Sequence, residues 1–119
     1  MSDTEQRTQR EQLFTDFEKS VNMPAGQLER WLATSESRNV GRHKGQSESH
    51  GHAAGRRIVR LLRTRRADFT ADDLVHMRRA VRHIERQLRH RPRGDVSDTA
   101  WRFSLMNWGH DPQRHDQAR

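Results

Sequence analysis

The segment TADDLVHMRRAVRHIERQLRHRP, residues 70–92, decides how the rest of the chain is read. Leu74, Met77, Val81, Ile84 and Leu88 recur at alternating steps of three and four, which lines one face of an α-helix. Thr70 with Asp73 resembles a capping box, Asp standing in for the usual Glu or Gln. Pro92 closes the segment, because the residue before a proline is pushed out of the helical region. The seam runs for more than two heptads. In a chain with so little apolar sequence it is expected to pack within the molecule, a homodimer through Leu74–Leu88 being the alternative use.

Upstream, Ala54, Ile58, Leu61 and Leu62 predict a helix from about His52 to Arg66, with Arg56, Arg60 and Arg63 on one outer face. Gly55 in its first turn costs up to about 1 kcal/mol relative to alanine, tolerable where something must approach the backbone closely. Leu13, Phe14, Phe17 and Val21 predict a first helix over about 9–21. Pro24 opens a second, over about 24–34, that buries Leu28, Trp31 and Leu32. Residues 35–51 hold one aliphatic residue, Val40, and three glycines, and read as a long basic loop, either phosphate-contacting or a plain linker. Downstream, Arg93-Gly94-Asp95 is a turn. A short fifth helix follows from about Thr99 to Asn107, stopped at Trp108-Gly109 by a left-handed glycine. The expected fold is an all-α, single-domain bundle of about five helices over residues 11–111. The polar segments 1–10 and 112–119 are expected to be disordered tails.

Hydrophobic residues make up 30% of the 119, so the core must be thin. Cysteine is absent, which excludes disulfides, thiolate metal sites and a cysteine nucleophile. No apolar run approaches the roughly 18 residues that span a bilayer, and the N-terminus has no leader-like apolar region. No membrane partner is expected, and the location expected is cytoplasmic, on the nucleoid in a bacterium.

The net charge of +7 is segregated: residues 1–35 sum to −2, residues 36–94 to +10 and residues 95–119 to −1. Arginine outnumbers lysine 21 to 2, as a GC-rich genome would produce, but codon bias does not explain an excess over acids in one segment. Solubility does not require segregated charge, so the middle of the chain is expected to face an anionic partner. The candidate phosphate contacts are Arg42 and Lys44 in the loop, and His52, Gly55, Arg56, Arg57, Arg60 and Arg63 along the third helix. Arg79, Arg82, Arg86 and Arg89 on the fourth complete the set. Most solvated helix faces mix signs to gain i,i+4 pairs; after Asp73 this one has only Glu85.

Nucleotide-loop, nucleophile-elbow and zinc-protease motifs are missing, and no carboxylate pair stands out, so neither an enzyme nor a cofactor is expected. His76, His83 and His90 sit two turns apart, about 10 Å between neighbours, too far to share an ion; no metal is expected. Among arginines these imidazoles should resist protonation until phosphate arrives, so affinity is expected to rise as pH falls from about 7.5 to 6. Trp101 and Trp108 close a small core or, alternatively, offer stacking platforms for bases.

Several stretches resemble one family: LERWL at 28–32, SHGHAAGRRIV at 49–59, HRPRGDV at 90–96 and SLMNWGHDP at 104–112. It is a small bacterial and fungal family classed as a domain of unknown function (thirty-one-forty in its series), and its members are often labelled DNA-binding protein. Ala54 stands where the resemblance implies serine, and Ala100 where it implies proline. The resemblance implies DNA binding. A Gly-His-x-x-Gly-Arg-Arg segment opening a helix also offers free N–H groups and two guanidiniums, the parts of a phosphate cradle. Weakly sequence-specific DNA binding through six to ten backbone contacts is therefore expected. A protein-interaction adaptor and RNA binding are the alternatives.

Overall fold

The computed structural model describes residues 2–114 and is all-helical over them. Six α-helices follow in order: α1 (Asp3–Ser20), α2 (Ala25–Leu32), α3 (Ser35–Asn39), α4 (His50–Leu62), α5 (Ala71–Leu88) and α6 (Ala100–Asn107), with a 3₁₀ turn at Arg66–Asp68 between α4 and α5.

The capping box forms as written. Thr70 Oγ1 accepts from Asp73 N at 3.1 Å, and Asp73 Oδ2 accepts from Thr70 N at 3.0 Å. Four further helices start on a hydroxyl: Ser2, Thr34, Ser49 and Thr99 each accept the backbone N–H three residues on. Each hydroxyl satisfies a donor that the helix leaves unpaired. Gly109, at φ +87°, takes the left-handed conformation expected after α6, and its carbonyl accepts from Met23 N.

Three boundaries differ from expectation. The first helix begins at Asp3 instead of near Gln9, so residues 3–10, expected in a tail, are an exposed extension of α1 started by Ser2. The 35–51 loop is interrupted by α3, which Thr34 caps, and α4 begins at His50 on its Ser49 cap, leaving only 40–49 as the connection. At the C-terminal side, Asp111 is buried and Arg114 Nη1 donates to Gln27 Oε1 at 3.0 Å; the rest of the expected tail, 115–119, lies outside the described residues.

α1 lies along α5 and α2 along α4, while α6 touches α2, α3, α4 and α5 and ties the two pairs together. Leu28, Ile58, Met77, Ile84 and Leu105 are almost wholly buried where these elements meet, with Leu13, Phe14 and Phe17 closing the core from α1. The α5 seam is thus used inside the chain: Met77, Val81 and Ile84 are buried, and Leu88 at its end is exposed. No described helix is long and apolar enough to cross a membrane.

Candidate nucleic-acid interface

α4 opens beneath α6, and the Gly-His-x-x-Gly-Arg-Arg segment explains why it can. A Cβ on Gly55 would stand 2.3 Å from the Asn107 carbonyl oxygen and 2.8 Å from Leu32 Cδ2. The close approach that Gly55 permits is therefore to the chain's own backbone, and as a buried residue it is not placed to meet a phosphate. Asn107, buried beside it, accepts from Trp31 Nε1 at 2.8 Å and Ser37 Oγ at 2.6 Å and donates to Ser37 O at 3.0 Å. Its polar atoms are satisfied where an unmade bond would be costly.

The rest of the expected cradle is occupied. Glu48 accepts from Arg56 Nε at 2.8 Å and Nη2 at 2.7 Å, and also meets His52 Nδ1. His52 Nε2 reaches the Leu32 carbonyl at 2.7 Å. Each ring nitrogen of His52 thus has an oxygen partner, one on Glu48 and one on the end of α2. Arg56 above all, and His52 after it, hold the Glu48 carboxyl down to a pKa of about 2 against the opposing effect of burial. An anion thus already sits at the start of α4, supplied by the protein.

Arg57 reaches across to α5, donating to Asp72 Oδ2 at 2.8 Å and Asp73 Oδ1 at 3.1 Å. Arg63 pairs with Glu29, and Arg66 with Glu11 and Glu18. Arg42 donates to Asn39 Oδ1 at 3.2 Å within the loop, and Lys44 is exposed nearby. Of the arginines expected on the third helix, only Arg60 is free of an acid among the described residues.

α5 is different. Arg79, Arg82, Arg86 and Arg89 are exposed, and none is in an ion pair among the described residues. Arg79, Arg82 and Arg86, with the equally exposed and unpaired Arg78 beside them, line a hollow of about 510 Å³ together with His83 and Trp108. A second hollow, of about 230 Å³, lies between α4 and α5, and Arg79 and Trp108 line it too, joined by Arg60, Arg57 and His76. The two hollows lie side by side, with Arg79 and Trp108 lining both. Arg89 lies past the last turn of α5 and lines neither hollow.

Within the groove the histidine column does not behave as a unit. His83 stacks on Trp108 with ring centroids 4.2 Å apart, and its Nε2 is buried with no hydrogen-bond partner. Burial first, and the Arg86 guanidinium second, push its pKa below the ordinary histidine value. His76 lies 3.7 Å from Asp72, and His90 is exposed beyond the helix end. No three metal-ligating side chains gather among the described residues.

The tryptophans divide as well. Trp31 and Trp101 donate to Asn107 Oδ1 and to Gln87 O and pack against the core. Trp108 packs against the core while lining both hollows. Its position in the groove was open to sequence reasoning only as the stacking alternative, since i,i+3 and i,i+4 spacing along α6 says nothing of α5 beyond its C-terminal end.

The family model for a protein of unknown function, DUF3140, matches residues 16–106. The chain belongs to the DUF3140 family. No curated protein and no solved structure matches it. The matched span runs from α1 to the last turn of α6, and so takes in Gly55, the Glu48 clamp and the α5 arginines, while Asn107 and Trp108 lie just past its end.

Proposed function

We propose that this DUF3140 member binds DNA through its phosphate backbone, with low sequence specificity, along the groove between α4, α5 and α6. The observation that carries the reading is the set of guanidiniums left without an acid among the described residues: Arg60, Arg78, Arg79, Arg82 and Arg86 line two hollows that share Arg79 and Trp108, while most arginines elsewhere on α4 are neutralised in place. Exposed ion pairs add little stability. Their consequence here is to subtract charge from α4 and leave the positive field on α5. Arg86, in the last turn of α5, also complements the helix dipole there.

Five free guanidiniums (Arg60, Arg78, Arg79, Arg82 and Arg86) replace the six to ten contacts that the sequence implied. With about five phosphates neutralised, log Kd should change with log salt at a slope of roughly 3.5 to 4.5, an affinity loss of about 100- to 500-fold between 50 and 200 mM salt. Fluorescence anisotropy with a labelled 20-nucleotide DNA of random sequence, single-stranded and as duplex, measures it. A flat salt response in both forms would refute backbone binding. Equal displacement by polyglutamate and by DNA at matched charge would favour the adaptor reading, and a clear preference for RNA of the same sequence would favour RNA.

A further inference from the structure

The smaller hollow has a lining that backbone contact does not need. Phosphates in a duplex are read by cations on an open surface, yet the hollow between α4 and α5 is lined by Ala54, Ile58, Ala80 and Trp108, with Ala53 exposed at its mouth. Three of those five are alanines, and their short side chains leave the space open. Its volume of about 230 Å³ is ample for one flat nucleobase. Trp108 is held in place by its stack on His83, so the aromatic wall is already in position before a ligand arrives.

The rim supplies the opposite chemistry. Arg60 and Arg79, both without an acid among the described residues, border the hollow. Arg57 also borders it but is held by Asp72 and Asp73, whose carboxylates would repel an anion on that side. A ligand that fits has a flat, largely apolar ring for the floor and a phosphate for Arg60 and Arg79. A nucleotide unit of a single strand has both at the right linkage. A duplex offers only the phosphate, because its bases are stacked inside; single strands splay theirs onto aromatic and apolar side chains.

We propose that the hollow receives one unstacked base of single-stranded nucleic acid, so that the protein prefers single strands or unpaired ends over duplex. This rests on the backbone-binding reading and names the form of polymer that the same groove selects.

The test compares a labelled 12-nucleotide oligothymidine with a 12-base-pair duplex by anisotropy at 100 mM salt, for the wild type, Trp108→Ala and Ala53→Leu. Ala53 is exposed at the mouth of the hollow, so leucine there fills the space without disturbing the core, which keeps the test valid if Trp108→Ala does not fold. The single strand is expected to bind at least tenfold tighter than the duplex. Ala53→Leu should lower single-strand affinity about tenfold, the scale of one lost base-stacking contact, and leave duplex affinity within twofold. Duplex binding as tight as single-strand binding, or an equal loss on both, would overturn the base pocket while leaving backbone binding intact. If neither polymer binds in a salt-dependent way, the backbone reading fails first.

Discussion

Glu48 holds Arg56 with both carboxylate oxygens, at 2.7 and 2.8 Å, so the arginine that the sequence offers to a phosphate already has an anion of its own. The two sites therefore trade places in importance. Arg56→Ala should change DNA affinity by less than twofold, whereas Arg79→Ala should lower it by about 3- to 10-fold, the net worth of one hydrogen bond on a solvated surface. Glu48→Gln, which releases Arg56, should tighten binding by a few fold. Anisotropy on the three variants at one salt concentration decides the matter; a larger loss for Arg56→Ala than for Arg79→Ala would move the interface back to the start of α4.

Gly55→Ala should destabilise the fold, although alanine in a helix interior is normally favoured by about 1 kcal/mol. The new Cβ would meet the Asn107 carbonyl oxygen at 2.3 Å, and a backbone atom of α6 cannot swing aside as a side-chain end can. Overpacking of this kind costs about 1–3 kcal/mol or more. Chemical denaturation should show a lower midpoint with unchanged slope. A midpoint at or above wild type would mean that α6 does not lie against α4 at this distance.

The acid limb of stability belongs in part to Glu48. Its carboxyl is held near pKa 2, below the ordinary 4.5, chiefly by Arg56 and then by His52. A depressed carboxylate stabilises the fold fully above about pH 4.5, and that contribution is lost as pH falls toward 2. The group is partly solvated, so the screened effect is about 1 kcal/mol. Glu48→Gln should accordingly be less stable than wild type at pH 7, and the gap should narrow by pH 3 and vanish only as pH nears about 2. Urea midpoints at pH 7, 4 and 3 measure it, and a constant gap across that range would exclude ionisation as its cause.

The bundle was legible because its cues are local. The α5 seam, the Thr70–Asp73 box and the Gly109 stop each lie within a few residues of what they control, and each forms. The α3 helix escaped because five residues show no period, and its only signal was Thr34 as a cap. The site was less legible for a different reason. Whether an arginine is free depends on acids far along the chain: Glu29 lies 34 residues from Arg63, and Glu11 lies 55 from Arg66. Summed charge located the basic segment but not the arginines within it that remain unpaired. Trp108 and His83 lie 25 positions apart and share no helix, so only the fold makes them neighbours.

His83 gives the groove a proton dependence of definite sign. Its ring is stacked on Trp108, its Nε2 has no partner, and burial with Arg86 beside it favours the neutral form. Arg79, Arg82 and Arg86 line the same hollow. The unfolded chain takes up a proton at this histidine near pH 6.5 while the folded chain resists it, so its contribution to stability is complete above that pH and declines as pH falls below it. His110, also held low by burial, acts in the same direction. His83→Gln should flatten the stability profile between pH 7 and 5 without abolishing the part due to His110. Binding runs the other way. A phosphate beside Arg86 offsets its repulsion, the smaller of the two causes after burial, and makes a proton on His83 less costly, so the complex holds more protons than the free protein. Affinity should rise about 2- to 5-fold from pH 7.5 to 6, within the tenfold per pH unit that one proton allows. Anisotropy at pH 6.0, 6.75 and 7.5 would detect it. A wild-type Kd independent of pH rules out the coupling, and a rise that persists in His83→Gln assigns the proton to a different group.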